Sequence, residues 1–84
     1  MYYVYLLRSL KDKGFYTGYT DDLKRRITEH NQGKTKSIKH RIPFELIYYE
    51  SYKNKTDARK REIELKEKGY YKEQLLKRLE NSLK

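Results

Sequence analysis

There is no cysteine among the 84 residues. That excludes a disulfide staple and any thiolate metal site. Long apolar runs are absent too: nothing approaches the roughly 20 residues needed to span a bilayer. The opening residues lack a signal-peptide pattern, so the cytoplasm is the expected location. Conventional core residues are scarce. Leu, Ile, Val and Phe make 18 of 84 positions, barely above the share, about 20%, below which chains tend to disorder. A chain of this length is expected to form one domain, residues 1–84, near the small end of what folds alone.

What is present compensates. Ten tyrosines bury ring area while keeping a polar tip near water or a partner. The formal charge is +9, from 21 Lys and Arg against 12 Asp and Glu. Such an excess favours a polyanionic partner, nucleic acid first and acidic lipid second. The plain alternative is a soluble, self-repelling surface.

Along the chain, "YYVYLLRSL" is dense in aromatic and branched residues and reads as a strand. "KDKG" is a turn and "FYTGY" a second short strand, so residues 2–19 form an antiparallel hairpin. "TDDLKRRITEHNQG" reads as a helix capped by Thr20 or Asp21, with Leu23 and Ile27 inward and Gly33 at its exit. "KTKSIKHRIP" is a basic loop without periodicity. Residues 44–52 are a third strand. Residues 56–69 form a helix ending at Gly69, and a last helix carries Leu75, Leu76, Leu79 and Leu83. The expected class is α/β (α+β): a three-stranded antiparallel sheet flanked by helices, in the order β-β-α-β-α-α. The helices should cover the sheet's core face.

Strand alternation locates the candidate chemistry. If Val4 and Phe15 face the helices, Tyr5 and Tyr16 emerge on the other face beside Gly18 as a shallow polar site. Equally, both could be ordinary half-buried sheet residues. Arg26 lies at the edge of the first helix's inward stripe, able to reach over the sheet while Lys24 and Arg25 point to solvent. Its planar, permanently charged fork suits phosphate, or equally a surface ion pair. His30 lies near the stripe, where a lone histidine is more often structural. In the second helix Ala58, Glu62 and Leu65 share one face. A carboxylate there is costly unless it is paired with a base or bound to a metal, and the spacing leaves both open.

Taken in order, Tyr3-Val4-Tyr5, Tyr16-Thr17-Gly18, Arg26, His30 and Glu62 resemble the GIY-YIG endonuclease domain, above all its small stand-alone members. "TGYTDDLKRRITEHNQG" and "RKREIELK" carry the likeness most specifically, and it covers the whole chain. The first motif's glycine is Tyr3 here and the second motif's isoleucine is Thr17. The resemblance implies a metal-dependent endonuclease, in DNA repair or processing, with a non-catalytic nucleic-acid-binding module as the alternative. It implies that Tyr5 and Tyr16 line the active site, one of them a candidate general base. It further implies that Arg26 is the catalytic arginine, that His30 helps arrange the site and that Glu62 binds one Mg²⁺ or Mn²⁺. Gly18 is expected to leave room for the substrate backbone. Tyr19, Lys24, Arg25, Lys34, Lys36, Lys39 and Arg41 are expected to meet the nucleic acid, DNA before RNA.

Overall fold

The computed structural model describes residues 1–84. Its elements are β1 (Tyr2–Ser9), β2 (Phe15–Thr20), α1 (Leu23–Asn31), a short 3-10 turn (Lys39–Arg41), β3 (Phe44–Tyr52), α2 (Lys55–Glu67) and α3 (Gly69–Arg78). The strands form one antiparallel sheet in the order β2-β1-β3, so the most apolar strand is central. The expected α+β class and element order hold. No helix is long and apolar enough to cross a membrane.

Local chemistry sets the helix ends. Asp22, rather than Thr20 or Asp21, caps α1 by accepting from the Arg25 backbone N–H. Thr20 instead accepts from the Asp22 N–H, fixing the turn out of β2. Gly33 takes φ +77° after the helix, a left-handed conformation that glycine adopts at no steric cost. Asn54 caps α2 through the N–H groups of Thr56 and Asp57. Gly69 does not stop this helix. The break falls at Lys68, in extended conformation, and Gly69 opens α3.

The sheet is covered on both faces, which corrects the expectation of one core face and one open one. On one side Val4 and Leu6 pack with Ala58, Leu65 and Leu75 of α2 and α3. On the other, Leu7, Phe44 and Ile38 form a second core with Ile27, Ile42 and Tyr16. The segment read as a plain basic loop supplies Ile38 and Ile42 to that core. A bulge reconciles β3 with both sides. Leu6 pairs with Tyr48 and Leu7 with Leu46, leaving Ile47 as the extra residue.

Candidate active site

The site builds outward from the pairing of β1 with β2. Tyr5 stands directly opposite Gly18. A Cβ added at Gly18 would lie 2.2 Å from the Tyr5 hydroxyl and from the carbon bearing it. The space over Gly18 is therefore filled by the Tyr5 ring. This corrects the expectation that Gly18 leaves room for a substrate backbone: the glycine makes room for a side chain of its own chain.

Nor does Tyr5 emerge from the sheet. It is 1% exposed, because α1 lies over it. Its hydroxyl is 2.7 Å from His30 Nε2, and His30 Nδ1 is 3.0 Å from Thr35 Oγ1. His30 is fully buried. Burial, reinforced by the neighbouring Arg26 charge, lowers its pKa to about 4, so the imidazole is neutral near pH 7. Burial, with Tyr16 adding to it, pushes the Tyr5 phenol up to about 12, against the opposing pull of Arg26. A protonated phenol with no other acceptor donates to Nε2, and Nδ1–H then donates to Thr35. The Tyr5–His30–Thr35 chain thus ties β1, α1 and the following segment together.

Tyr16 is the more accessible phenol. Its ring meets His30 edge-on, centroids 5.3 Å apart, and it is half-buried. Arg26 comes from the turn of α1 preceding His30. Its guanidinium bonds Glu29 at 3.3 Å and acts electrostatically on both Tyr5 and His30. Beside it opens a cleft of about 460 Å³, bounded by Tyr2, Tyr19, Arg25, Arg26, Glu29 and Lys55.

Glu62 joins from α2. Ala58 and Leu65 are buried as its helical spacing anticipates, and the Glu62 side chain between them is 12% exposed. Both its oxygens meet cations of its own helix: Arg59 Nε at 3.5 Å and Lys66 Nζ at 2.9 Å. Those cations reach to β2. Arg59 lies over the Tyr19 ring, 5.1 Å from its centroid, and Lys66 lies 5.8 Å from that of Tyr16. Glu62 is thereby held alongside β2, between its two tyrosines. Its charge is felt at the Tyr5 hydroxyl. Tyr5, Tyr16, Arg26 and His30 gather from β1, β2 and α1, and Glu62 of α2 reaches toward Tyr16 through Lys66. Lys66 and Thr35 complete the cluster without any sequence expectation attached to them. Only the i, i+4 spacing from Glu62 hinted at Lys66, and that is an everyday surface pairing.

The residues expected to meet nucleic acid divide into two groups. Lys24, Lys34, Lys36 and Lys39 are exposed. Arg25 is exposed but paired with Asp21 at 3.2 Å. Tyr19 is stacked on Tyr2 beneath Arg59. Arg41 is withdrawn altogether. It binds Asp12 at 2.7 Å, which holds that carboxyl well below the usual range, and packs on the Phe44 ring. Arg41 closes the β1–β2 turn against the 3-10 turn, so its charge is committed to Asp12.

Tyrosines thus stand on two paired strands, an arginine on the helix that follows and a glutamate on the helix after the third strand, in the order on which the sequence resemblance rests. The model of the GIY-YIG catalytic domain matches residues 1–84, and the chain belongs to that family. Among curated proteins it is similar to a UPF0213 protein of Staphylococcus epidermidis, 41% identical over 80 residues and covering 94% of each chain. A UPF0213 protein of Clostridium perfringens is 43% identical over 67 residues, 79% of this chain and 71% of that one. The solution NMR structure of a UPF0213 protein from Bacillus halodurans superposes with a TM-score of 0.57 at 41% identity, covering 92% of this chain and 84% of that one.

Proposed function

We propose that this chain hydrolyses phosphodiester bonds of a nucleic acid, with DNA the first substrate to test and one Mg²⁺ or Mn²⁺ as cofactor, in repair or processing. The observation that carries this reading is the gathering of Tyr16 and Arg26 around the buried Tyr5–His30 pair, with Glu62 linked to Tyr16 through Lys66.

No group of three or more His, Cys, Asp or Glu side chains gathers anywhere in the molecule. A single carboxylate nonetheless fits magnesium, which keeps several waters and takes further ligands from substrate phosphates. Glu62 is a hard oxygen donor on a partly buried rim, and the cations beside it are half-exposed and able to move. It is the residue that would hold the ion. A bound ion supplies polarisation of a phosphate oxygen and relief of leaving-group charge.

Arg26 stabilises the negative charge that builds on the phosphoryl group, its planar fork matching two oxygens. Tyr16 takes the proton of the attacking water while its own hydroxyl proton passes to solvent, a transfer favoured by the positive charge of Arg26. Tyr5 acts differently. Its raised pKa makes it a poor base, and its bond to His30 makes it the post that fixes α1, and hence Arg26, over the sheet. Lys24, Lys34, Lys36 and Lys39 attract the strand through its phosphates without reading sequence.

The second reading, a binding module without catalysis, is favoured by one observation: both Glu62 oxygens are already neutralised by Arg59 and Lys66. A panel of labelled single-stranded, duplex, nicked and branched substrates with Mg²⁺ and Mn²⁺ separates the two. Hydrolysis predicts metal-dependent cleavage that drops by about 100-fold or more in Arg26→Ala and Glu62→Gln, both still folded by circular dichroism. Salt-dependent binding with no turnover on any substrate would leave only the module.

A further inference from the structure

We infer that Lys66 is an exchangeable counter-ion of Glu62: its ammonium holds the carboxylate until a divalent cation takes its place. The inference rests on the reading of Glu62 as the cation ligand and adds a chemical role for a residue to which that reading assigns none.

The geometry singles out Lys66 among the neighbours. Its Nζ is 2.9 Å from Glu62 Oε2, whereas Arg59 approaches the other oxygen at 3.5 Å. Arg59 has a second commitment, over the Tyr19 ring at 5.1 Å. Lys66 is 43% exposed and sits on the last full turn of α2. Its four-carbon stem is flexible, and the ammonium is a compact, strongly hydrated point charge. Glu62 is 12% exposed and fixed between two buried residues. One partner is anchored and the other mobile, so exchange moves the lysine and leaves the carboxylate in register. Lys66 also lies 5.8 Å from the Tyr16 ring, so the charge that leaves Glu62 stays beside the phenol, where a substrate phosphate would meet it.

An ion pair of this kind, between helix neighbours with one side exposed, is weak. It therefore competes with a divalent cation without excluding it. Lys66→Met should tighten Mn²⁺ binding by about 3- to 10-fold, whereas Lys66→Arg should not. Removing any lysine from so basic a chain favours cations somewhat, so Lys11→Met, far along the sequence and with the same change of charge, sets the background.

The test is a Mn²⁺ titration of the intact protein followed by electron paramagnetic resonance of the free ion. It covers wild type, Lys66→Met, Lys66→Arg, Lys11→Met and Glu62→Gln, each checked for folding by circular dichroism. Tighter binding in Lys66→Met than in Lys11→Met, with binding lost in Glu62→Gln, supports the inference. Glu62-dependent binding of equal strength in Lys66→Met and Lys11→Met overturns it while leaving Glu62 as the ligand. Absence of any Glu62-dependent binding overturns it as well, because Lys66 then guards no cation site in the free protein.

Discussion

Two glutamates, one on the sheet and one on the helix packed beside it, invite comparison. Glu50 on β3 and Glu62 on α2 are almost equally exposed, 15% and 12%. Each has arginine and tyrosine close by. Glu50 accepts from the hydroxyls of Tyr48, at 2.9 Å, and Tyr52, and from Arg61 Nε at about 3.0 Å to both oxygens. Its partners come from its own strand and from α2, and Arg61 is itself largely covered. Burial, with the bond to Glu50, raises the pKa of both tyrosines, so the phenols remain donors. That carboxylate is spent on fastening α2 to the sheet. Glu62 meets only two exposed cations of its own helix. The difference lies in the partners, since the burial of the two carboxylates is nearly matched: two tyrosine hydroxyls and a largely covered arginine hold Glu50, two exposed cations hold Glu62. A carboxylate whose partners are anchored is structural. One whose partners can leave is available for chemistry.

The sharpest way to break this contrast starts on the α1 side. Gly18→Ala would force a Cβ to within 2.2 Å of the Tyr5 ring, which is buried and tied to His30. The expected cost is about 3 kcal/mol or more, read by urea denaturation. A cost below about 1 kcal/mol would mean that Tyr5 is not fixed in place.

Next comes the comparison itself. Glu50→Gln should lose about 2–3 kcal/mol, because it leaves Arg61 poorly paired under α2. Glu62→Gln should lose under about 1 kcal/mol, because exposed helix pairs are weak. Equal losses would erase the distinction between the two carboxylates.

A comparable effect follows from pH. His30 binds its proton with a pKa of about 4 in the fold against 6.5 unperturbed. Between those values the unfolded chain holds more protons, so the stabilisation is complete above pH 6.5 and lost as pH falls toward 4. The loss should be on the order of 3 kcal/mol. His30→Gln should flatten that slope in denaturation curves taken at successive pH values, even if its stability at pH 7 is lower.

The smallest effect concerns the free lysines. Lys36→Ala should leave stability unchanged and reduce the slope of log affinity against log salt by about 1. Arg41→Ala should act the other way, costing stability through the lost Asp12 and Phe44 contacts more than it costs salt-dependent binding.

These contrasts also mark what was readable before folding. Element order was legible because alternation, capping residues and glycine exits are local. Glu62 was legible because a carboxylate between Ala58 and Leu65 breaks a helical stripe. The second core was not. Ile27, Ile38, Ile42 and Phe44 meet Leu7 from three separate stretches, one of them without periodicity, so no local pattern announces them. For that reason Tyr5 read as an exposed phenol when it is a buried strut, and Gly18 as an opening when it is filled. Glu62 is paired with bases, the exposed Arg59 and Lys66 of its own helix, whereas the well-covered Glu–Arg pair stands at Glu50 and Arg61. Seeing that requires knowing where α2 crosses β3.

The most direct test of the central claim is metal-dependent cleavage by the two glutamate variants side by side, at a temperature where both are folded. Mn²⁺-dependent hydrolysis should persist within a few-fold in Glu50→Gln and fall by about 100-fold or more in Glu62→Gln. Equal rates in the two variants, or cleavage that survives without Glu62, would contradict the account.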